Sequence, residues 1–373
     1  MKTKAVALLL VVLFLAMPAN ASTYPLTITP GRSWPMSVVV DSDRGLLYFD
    51  AVSGDNPPTG YSFGVINAST HDVIKILPLD IDSGPMALDQ ETGDVYVAGQ
   101  ANMTILVYDP TSETFVRQIN ISNPVLSMAF DGSVSQNLFF TSGNQVFALN
   151  PQTGKIVVNV TLANDVDGLA LDSSNGRLYV GQYPRGGISV FEAATLAPVG
   201  SIVLPACCAL QFALDDRNQM LYAVTGTNSV YVVNAETNTF VKSVQVAQSG
   251  QNSTNVVAVD NVTGHVYVAS SPGGSILDLD ATGNVVQRYQ VESQVAGLAI
   301  DVKTQELYAT NYHQLTVFDT APNGAYLVPA FIWGASVAVM VVAAVFVYLL
   351  VRHRKGKERK EIQPGWTGTS RAE

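Results

Sequence analysis

The stretch Leu169-Ala-Leu-Asp172-Ser-Ser-Asn175-Gly176-Arg-Leu-Tyr179-Val180 fixes the architecture, because it recurs throughout the chain. It reads as a short apolar strand ending in Asp, a tight turn, and a second strand centred on an aromatic residue. The other copies are VVVDSDRGLLYF with Asp41, MALDQETGDVYV with Asp89, MAFDGSVSQNLFF with Asp131, FALDDRNQMLYA with Asp215, VAVDNVTGHVYV with Asp260 and LAIDVKTQELYA with Asp301. Successive Asp residues lie 48, 42, 41, 43, 45 and 41 positions apart. A period of 40 to 50 with several strands per unit is the mark of propeller blades.

Two further strands follow in each repeat, as in Ser229–Asn234 (SVYVVN) and Thr239–Val246 (TFVKSVQV), where apolar residues alternate. The expected fold is therefore all-β: a seven-bladed β-propeller with strands A to D running from the inside of each blade to its outer edge. The last repeat supplies A, B and C but ends without a D strand. A spare strand, Tyr24 to Thr29, stands ahead of the first repeat. It is expected to complete the seventh blade, since closure removes unpaired edges.

The recurring aromatics Tyr48, Tyr96, Phe139, Tyr179, Tyr222, Tyr267 and Tyr308 are expected to pack between blades rather than stack on a ligand. The recurring Asp residues resemble an acidic array. In Asp89-Gln-Glu-Thr-Gly93, Asp172-Ser-Ser-Asn-Gly176 and Asp260-Asn-Val-Thr-Gly264, however, they read as turn formers, with Asp bonding amides two residues on and Gly supplying the positive φ. Asn150-Pro-Gln-Thr-Gly154 and Asn234-Ala-Glu-Thr-Asn238 repeat that chemistry between strands C and D.

Both ends read as membrane signals. Lys2 and Lys4 precede an apolar run and the small-residue pattern Ala19-Asn20-Ala21, so residues 1–21 read as a secretory signal peptide. Residues 22–320 form the propeller and 321–326 a short linker. Residues 327–351 are uncharged and apolar, long enough for a transmembrane helix, with Tyr326, Trp333 and Tyr348 towards its ends. Residues 352–373 are a basic tail in which Arg352, Arg354, Lys355, Lys357, Arg359 and Lys360 mark the cytoplasmic side. The expected topology is a single-pass cell-membrane protein with its propeller outside. Only six linker residues follow the last strand, which would turn the A-to-B and C-to-D face towards the membrane.

Composition agrees. Of 373 residues 47% are hydrophobic and only 13% charged, against about 25% in a typical soluble protein. The net charge of −10 argues against nucleic-acid partners, which require a surplus of Lys and Arg. Most of the basic residues counted outside the propeller sit in the tail, so the ectodomain is more acidic still. The shortage of charge suits a cell-envelope protein facing an extreme, acidic medium.

The repeats resemble the YVTN β-propellers of prokaryotic surface-layer and secreted proteins over residues 24–319. Leu307-Tyr-Ala-Thr-Asn311 is nearest the naming motif, and Val230-Tyr-Val-Val-Asn-Ala-Glu-Thr-Asn238 resembles its following strand and turn. Most copies depart at the terminal Asn, as in VYVASS and LYVGQ. The resemblance implies a WD40-like ring and a surface location, and it brings no catalytic chemistry with it.

Candidate ligand-binding residues fall in the outward D-to-A loops. Trp34 is the one tryptophan of the ectodomain. Asp80 with Asp82, and Asp165 with Asp167, could offer hard oxygens to Ca²⁺, but neither pair completes a calcium loop and a polar loop is the default reading. Cys207 and Cys208 are adjacent and form the disulfide candidate; in an oxidising exterior they could close as a strained vicinal ring, pair between chains or remain thiols. A vicinal disulfide resembles that of quinone-cofactor dehydrogenases, yet those propellers carry many docking tryptophans. His71, His265 and His313 lie in separate repeats without metal-ligand spacing and are expected to be solvated. Six sequons, at Asn67, Asn102, Asn120, Asn159, Asn252 and Asn261, are glycosylation candidates.

No catalytic residue, metal site or cofactor is nominated. The expected function is a membrane-anchored binding, adhesion or surface-layer-like scaffold, with envelope proteins or glycans as partners. The alternative is a propeller enzyme, a quinone-dependent dehydrogenase or a lactonase-like hydrolase, acting through the outward loops.

Overall fold

The computed structural model describes residues 23–26, 33–54, 60–82, 84–184, 187–205, 211–225, 229–246, 256–270, 274–311 and 314–321. The chain divides into two units, 1–320 and 321–373, and only Ala321 of the second is described. The signal peptide, the transmembrane segment and the tail expected from the sequence lie outside the described residues. Among those residues no helix is long and apolar enough to cross a membrane.

The described chain is all-β and forms seven four-stranded antiparallel sheets. Blade 1 comprises strands A to D at Ser33–Asp41, Leu46–Ser53, Gly60–Asn67 and Val73–Leu79. Blade 2 comprises Met86–Leu88, Val95–Gly99, Thr104–Asp109 and Thr114–Asn120. Blade 3 runs through Ser127–Asp131, Asn137–Ser142, Gln145–Asn150 and Lys155–Thr161. Blade 4 runs through Asp165–Asp172, Arg177–Tyr183, Ile188–Glu192 and Pro198–Ile202. Blade 5 holds Gln211–Asp215, Met220–Val224, Ser229–Asn234 and Thr239–Gln245. Blade 6 holds Val256–Val259, Val266–Ser270, Ser275–Leu279 and Val285–Gln290. Blade 7 holds Val295–Asp301, Glu306–Asn311 and Leu315–Asp319, and its outer strand is Thr23–Leu26. Thr23 lies opposite Phe318 and Leu26 opposite Leu315, so the N-terminal strand completes the last blade as expected.

The pairing register explains the sequence pattern. Within each blade the aromatic of strand B sits directly across from a small or β-branched residue of strand A: Val39, Ala87, Ala129, Ala170, Ala213, Ala258 and Ala299. Inner strands crowd together around the axis, so a small residue leaves room there for the ring. Seven hydrophobic clusters result, and each is shared by two consecutive blades. The cluster between blades 7 and 1 joins Tyr308, Leu315 and Val317 to Val38, Leu47 and Phe49. Rings also meet across the seams, as in Phe63 with Tyr108 at 4.8 Å and Tyr289 with Phe318 at 5.2 Å. The aromatic repeat is thus core packing.

The recurring Asp residues are turn formers. All seven are buried, the most exposed at 4%. Asp260 Oδ1 accepts the Val262 amide at 2.8 Å, and its Oδ2 accepts the Thr263 hydroxyl at 2.7 Å. Asp41, Asp89, Asp131, Asp172, Asp215 and Asp301 bind their turns in the same way. The last turn residue has positive φ in every blade, as Gly45, Gly93, Gly176 and Gly264 or as Gln136, Gln219 and Gln305. In the glutamine turns the side-chain amide donates back to a turn carbonyl, Asp216 O at 2.6 Å for Gln219 and Val302 O at 3.0 Å for Gln305. That bond offsets the strain a side chain feels in the left-handed region.

Two of the tyrosine hydroxyls reach the next blade. The Tyr308 hydroxyl lies 2.9 Å from Ala68 O and 2.8 Å from Glu306 Oε2, its one proton shared between them, and Tyr179 donates to Ala235 O at 2.9 Å. The Tyr48 hydroxyl is buried with no hydrogen-bond partner. Tyr308→Phe is therefore expected to cost about 1–2 kcal/mol, since it strands a buried carbonyl at the closing seam. Tyr48→Phe is expected to be neutral or stabilising. Denaturant titration of both variants checks this, and equal losses would refute it.

Candidate functional site

In this topology the D-to-A and B-to-C connections share one face, here called upper, and the A-to-B and C-to-D turns share the lower face. Two residues beyond its aromatic, strand B carries Asp50 in blade 1, Thr141 in blade 3 and Thr310 in blade 7. The aligned positions in the other blades are Ala98, Gly181, Val224 and Ala269. Each polar residue reaches towards the following blade, Thr141 and Thr310 to its strand A and Asp50 to the loop just before it. Asp50 Oδ2 accepts the Gly84 amide at 3.2 Å, Thr141 Oγ1 donates to Asp167 O at 2.6 Å, and Thr310 Oγ1 donates to Met36 O at 2.7 Å. Ser37 adds its hydroxyl to Gly84 O at 2.9 Å, while its amide donates to Asp50 Oδ1 at 2.7 Å. These bonds tie the upper ends of three seams without changing the blade pattern.

The sequence-nominated residues divide between structural and open roles. Trp34 is half-buried on strand A of blade 1, opposite Val52. Asp82 accepts the amides of Ala101 at 2.8 Å and Asn102 at 3.4 Å, and its own amide donates to Asn102 Oδ1 at 3.0 Å, so it braces a B-to-C turn. Asp165 is exposed opposite Tyr183. Asp167 is half-buried, and burial raises its carboxyl above the usual range. The two Asp pairs stand in different blades and do not converge. Among the described residues no group of three or more His, Cys, Asp or Glu could hold a metal. Cys207, Cys208 and Asn252 lie outside the described residues.

Among the described residues, binding space opens in at least two places. The larger, about 640 Å³, lies between strand D of blade 1 and blade 2 and brings together Asp80, Asn102, Thr104, Phe115, Gln118 and Asn120. Asp80 is nominated by its loop, and Asn102 and Asn120 by their sequons, yet nothing in the sequence links them. Pairing does: Asn120 lies directly opposite Thr104, the hydroxyl residue of the Asn102 sequon. Asn102, Thr104, Gln118 and Asn120 give this lining amides and a hydroxyl that both donate and accept, beside Asp80 and Arg117, with Phe115 and Val116 as an apolar wall. The second cavity, about 460 Å³, lies among the strands A of blades 1, 2, 3, 4 and 7 and is walled by Val40, Leu88, Phe130, Leu171 and Ile300, each the residue before a turn Asp.

The histidines depart from expectation. His71 is half-buried and its Nε2 lies 3.1 Å from Glu306 Oε2 across the seam between blades 7 and 1. His265 Nδ1 lies 2.7 Å from Asp278 Oδ1, and that carboxylate is buried. His71 meets Glu306 because ring closure sets blade 7 beside blade 1, whereas His265 meets Asp278 through the pairing of strands B and C within blade 6. His313 lies outside the described residues. The exposed sequons are Asn120 and Asn159 on outer strands and Asn102 in a B-to-C turn, whereas Asn67 Oδ1 accepts three bonds from Ser69 and Thr70 and Asn261 Oδ1 is buried.

No protein-family model matches the chain, and no curated protein matches it. Among solved structures it is similar to the β-propeller domain of Cps50 (Swd1) from Myceliophteria thermophila, at 12% identity and a TM-score of 0.66. That match covers 80% of this chain and 99% of the other, and it shows the seven-bladed propeller fold alone.

Asp50→Ala should destabilise the protein by about 2–4 kcal/mol, because the Ser37 and Gly84 amides lose a charged acceptor. Asp82→Ala, which frees the more exposed amides of a turn, should cost about 1 kcal/mol. Unfolding curves for the two variants would expose the opposite order.

Proposed function

We propose that this chain is a membrane-anchored extracellular β-propeller of the YVTN type that serves as a binding, adhesion or cell-envelope scaffold. The ring supplies a rigid frame whose seven shared clusters leave connecting loops free to vary. The secretory pattern of residues 1–21 and the apolar segment 327–351 favour display outside the cell.

The observation that carries the reading is the groove between blades 1 and 2. Its amides and hydroxyls can answer the paired donors and acceptors of a sugar ring, and Phe115 offers a face to its C–H edge. Phosphate would require a cluster of cations, and Arg117 of this lining instead donates its guanidinium to Pro151 O and Gln152 of blade 3. The ligand class favoured here is a neutral saccharide of the envelope, including a glycan carried on Asn120.

Mass spectrometry of the protein purified with the membranes of its own host tests the whole reading. It should report a mature N-terminus after Ala21 and glycans on Asn120 and Asn159. A retained Met1 in a salt-soluble protein, or a bound quinone or metal, would overturn it in favour of an intracellular or enzymatic role. On immobilised envelope polysaccharide, Gln118→Ala should weaken binding about threefold to tenfold with unchanged melting, the loss of one hydrogen bond. Unaltered retention would remove the groove from the account.

A further inference from the structure

The register aligns one position of strand C across all seven blades, the residue directly opposite the strand-B aromatic. It is Val65, Val107, Ala148, Val190, Val232, Asp278 and Val317 in blades 1 to 7. The six apolar residues each belong to the cluster shared with the following blade. At the seam between blades 6 and 7 the same place holds an acid, 3% exposed, amid Tyr267 and Tyr289 of blade 6, with Phe318 of blade 7 against Tyr289. An apolar residue, valine or alanine, fills that place in every other blade, so the carboxyl is a departure the ring does not require.

We propose that the seam between blades 6 and 7 is proton-gated, with Asp278 and His265 closing it in acid and loosening it at neutral pH. His265 Nδ1, at 2.7 Å, is the group bonded to the carboxyl, and its side chain remains 35% exposed, which gives protons a route to solvent. The other charges facing Asp278 are acidic. Asp260 ends strand A of the blade and Asp280 begins its C-to-D turn. Thr282 and Asn284 hold Asp280 down to about 2, so it stays ionised and repels a second charge. Strand D contributes the neutral Tyr289, and blade 7 contributes Asp319, which acts on that tyrosine, and Gln305, whose amide occupies Asp260 Oδ2 at 3.0 Å.

Burial, opposed in part by His265, pushes Asp278 up to about 6. A carboxyl raised on folding contributes stability that is complete below the pKa of an unfolded Asp, near 4. That contribution is lost as pH rises through about 6. Above that range the seam carries a buried carboxylate where its six counterparts carry a methyl group or an isopropyl group.

The test compares unfolding of the full-length chain, kept in detergent, at pH 4 and pH 7.5. Asp278→Val, the residue five other blades carry, should lower the unfolding constant by up to about a hundredfold at pH 7.5 and much less at pH 4. Groups elsewhere that titrate cancel in this difference. Asp278→Asn, which keeps size and polarity, should show the same pH-dependent gain and decides the matter if the valine variant does not fold. Once the base-catalysed intrinsic rate is divided out, hydrogen exchange should find lower protection in strand A of blade 7 and strand C of blade 6 at pH 7.5 than at pH 4 in the wild type only. Equal effects of the substitutions at both pH values, or protection that falls elsewhere in the ring rather than at this seam, would overturn the proposal.

Discussion

The structure depends on one packing arrangement: an aromatic of strand B facing a small residue of strand A, wedged against the next blade. A four-stranded sheet cannot cover both its faces, so each blade is stable only between two others. The same contact must be made at every seam, which is why Ala or Val recurs opposite Tyr or Phe in all seven repeats. The ring has no privileged end except where the chain itself begins and ends. There the seam is reinforced by the N-terminal strand, by Tyr308 on Ala68, and by the Lys303 to Asp43 ion pair at 2.7 Å.

Polar chemistry is distributed around this frame rather than concentrated. Buried Asp residues hold turns, and in doing so use up the carboxylates that look most like a site. At the upper face Asp50, Thr141 and Thr310 replace small residues and stitch neighbouring blades. At the lower face Arg44 donates to Glu91 O at 2.8 Å, Arg217 to Val262 O at 3.0 Å, and Asn175 to Gln219 at 2.6 Å, each crossing to the following blade. Few as the charges are, many of the inter-blade polar contacts use them, as Arg44, Lys75, Arg117, Arg217 and Lys303 do, beside the neutral hydroxyls of Thr141, Tyr179 and Thr310.

Repetition makes departures informative. A serine, a sequon or a histidine in isolation says little, but a residue that breaks a sevenfold pattern must be tolerated against the packing preference of its place. Asp278 is the clearest instance, because six counterparts occupy the same register position and share the same apolar surroundings. Gln136, Gln219 and Gln305 are a milder instance, where a side chain replaces the glycine of a left-handed turn and bonds the turn in return.

Local chemistry was enough to read the blade count, the strand order, the turn role of Asp and the closure by Tyr24 and its neighbours. These follow from periodicity of two along a strand and of about forty-two along the chain, both written into the order of residues. The groove that gathers Asp80, Asn102 and Asn120, the partners of His71 and His265, and the acid at the seam of blades 6 and 7 were decided only by folding. They depend on which strands lie side by side, and their residues are neighbours because curvature of the ring and register of pairing bring them within bonding distance. A linear pattern shows that blades repeat, whereas only their stacking determines which side chains must share a low-dielectric space.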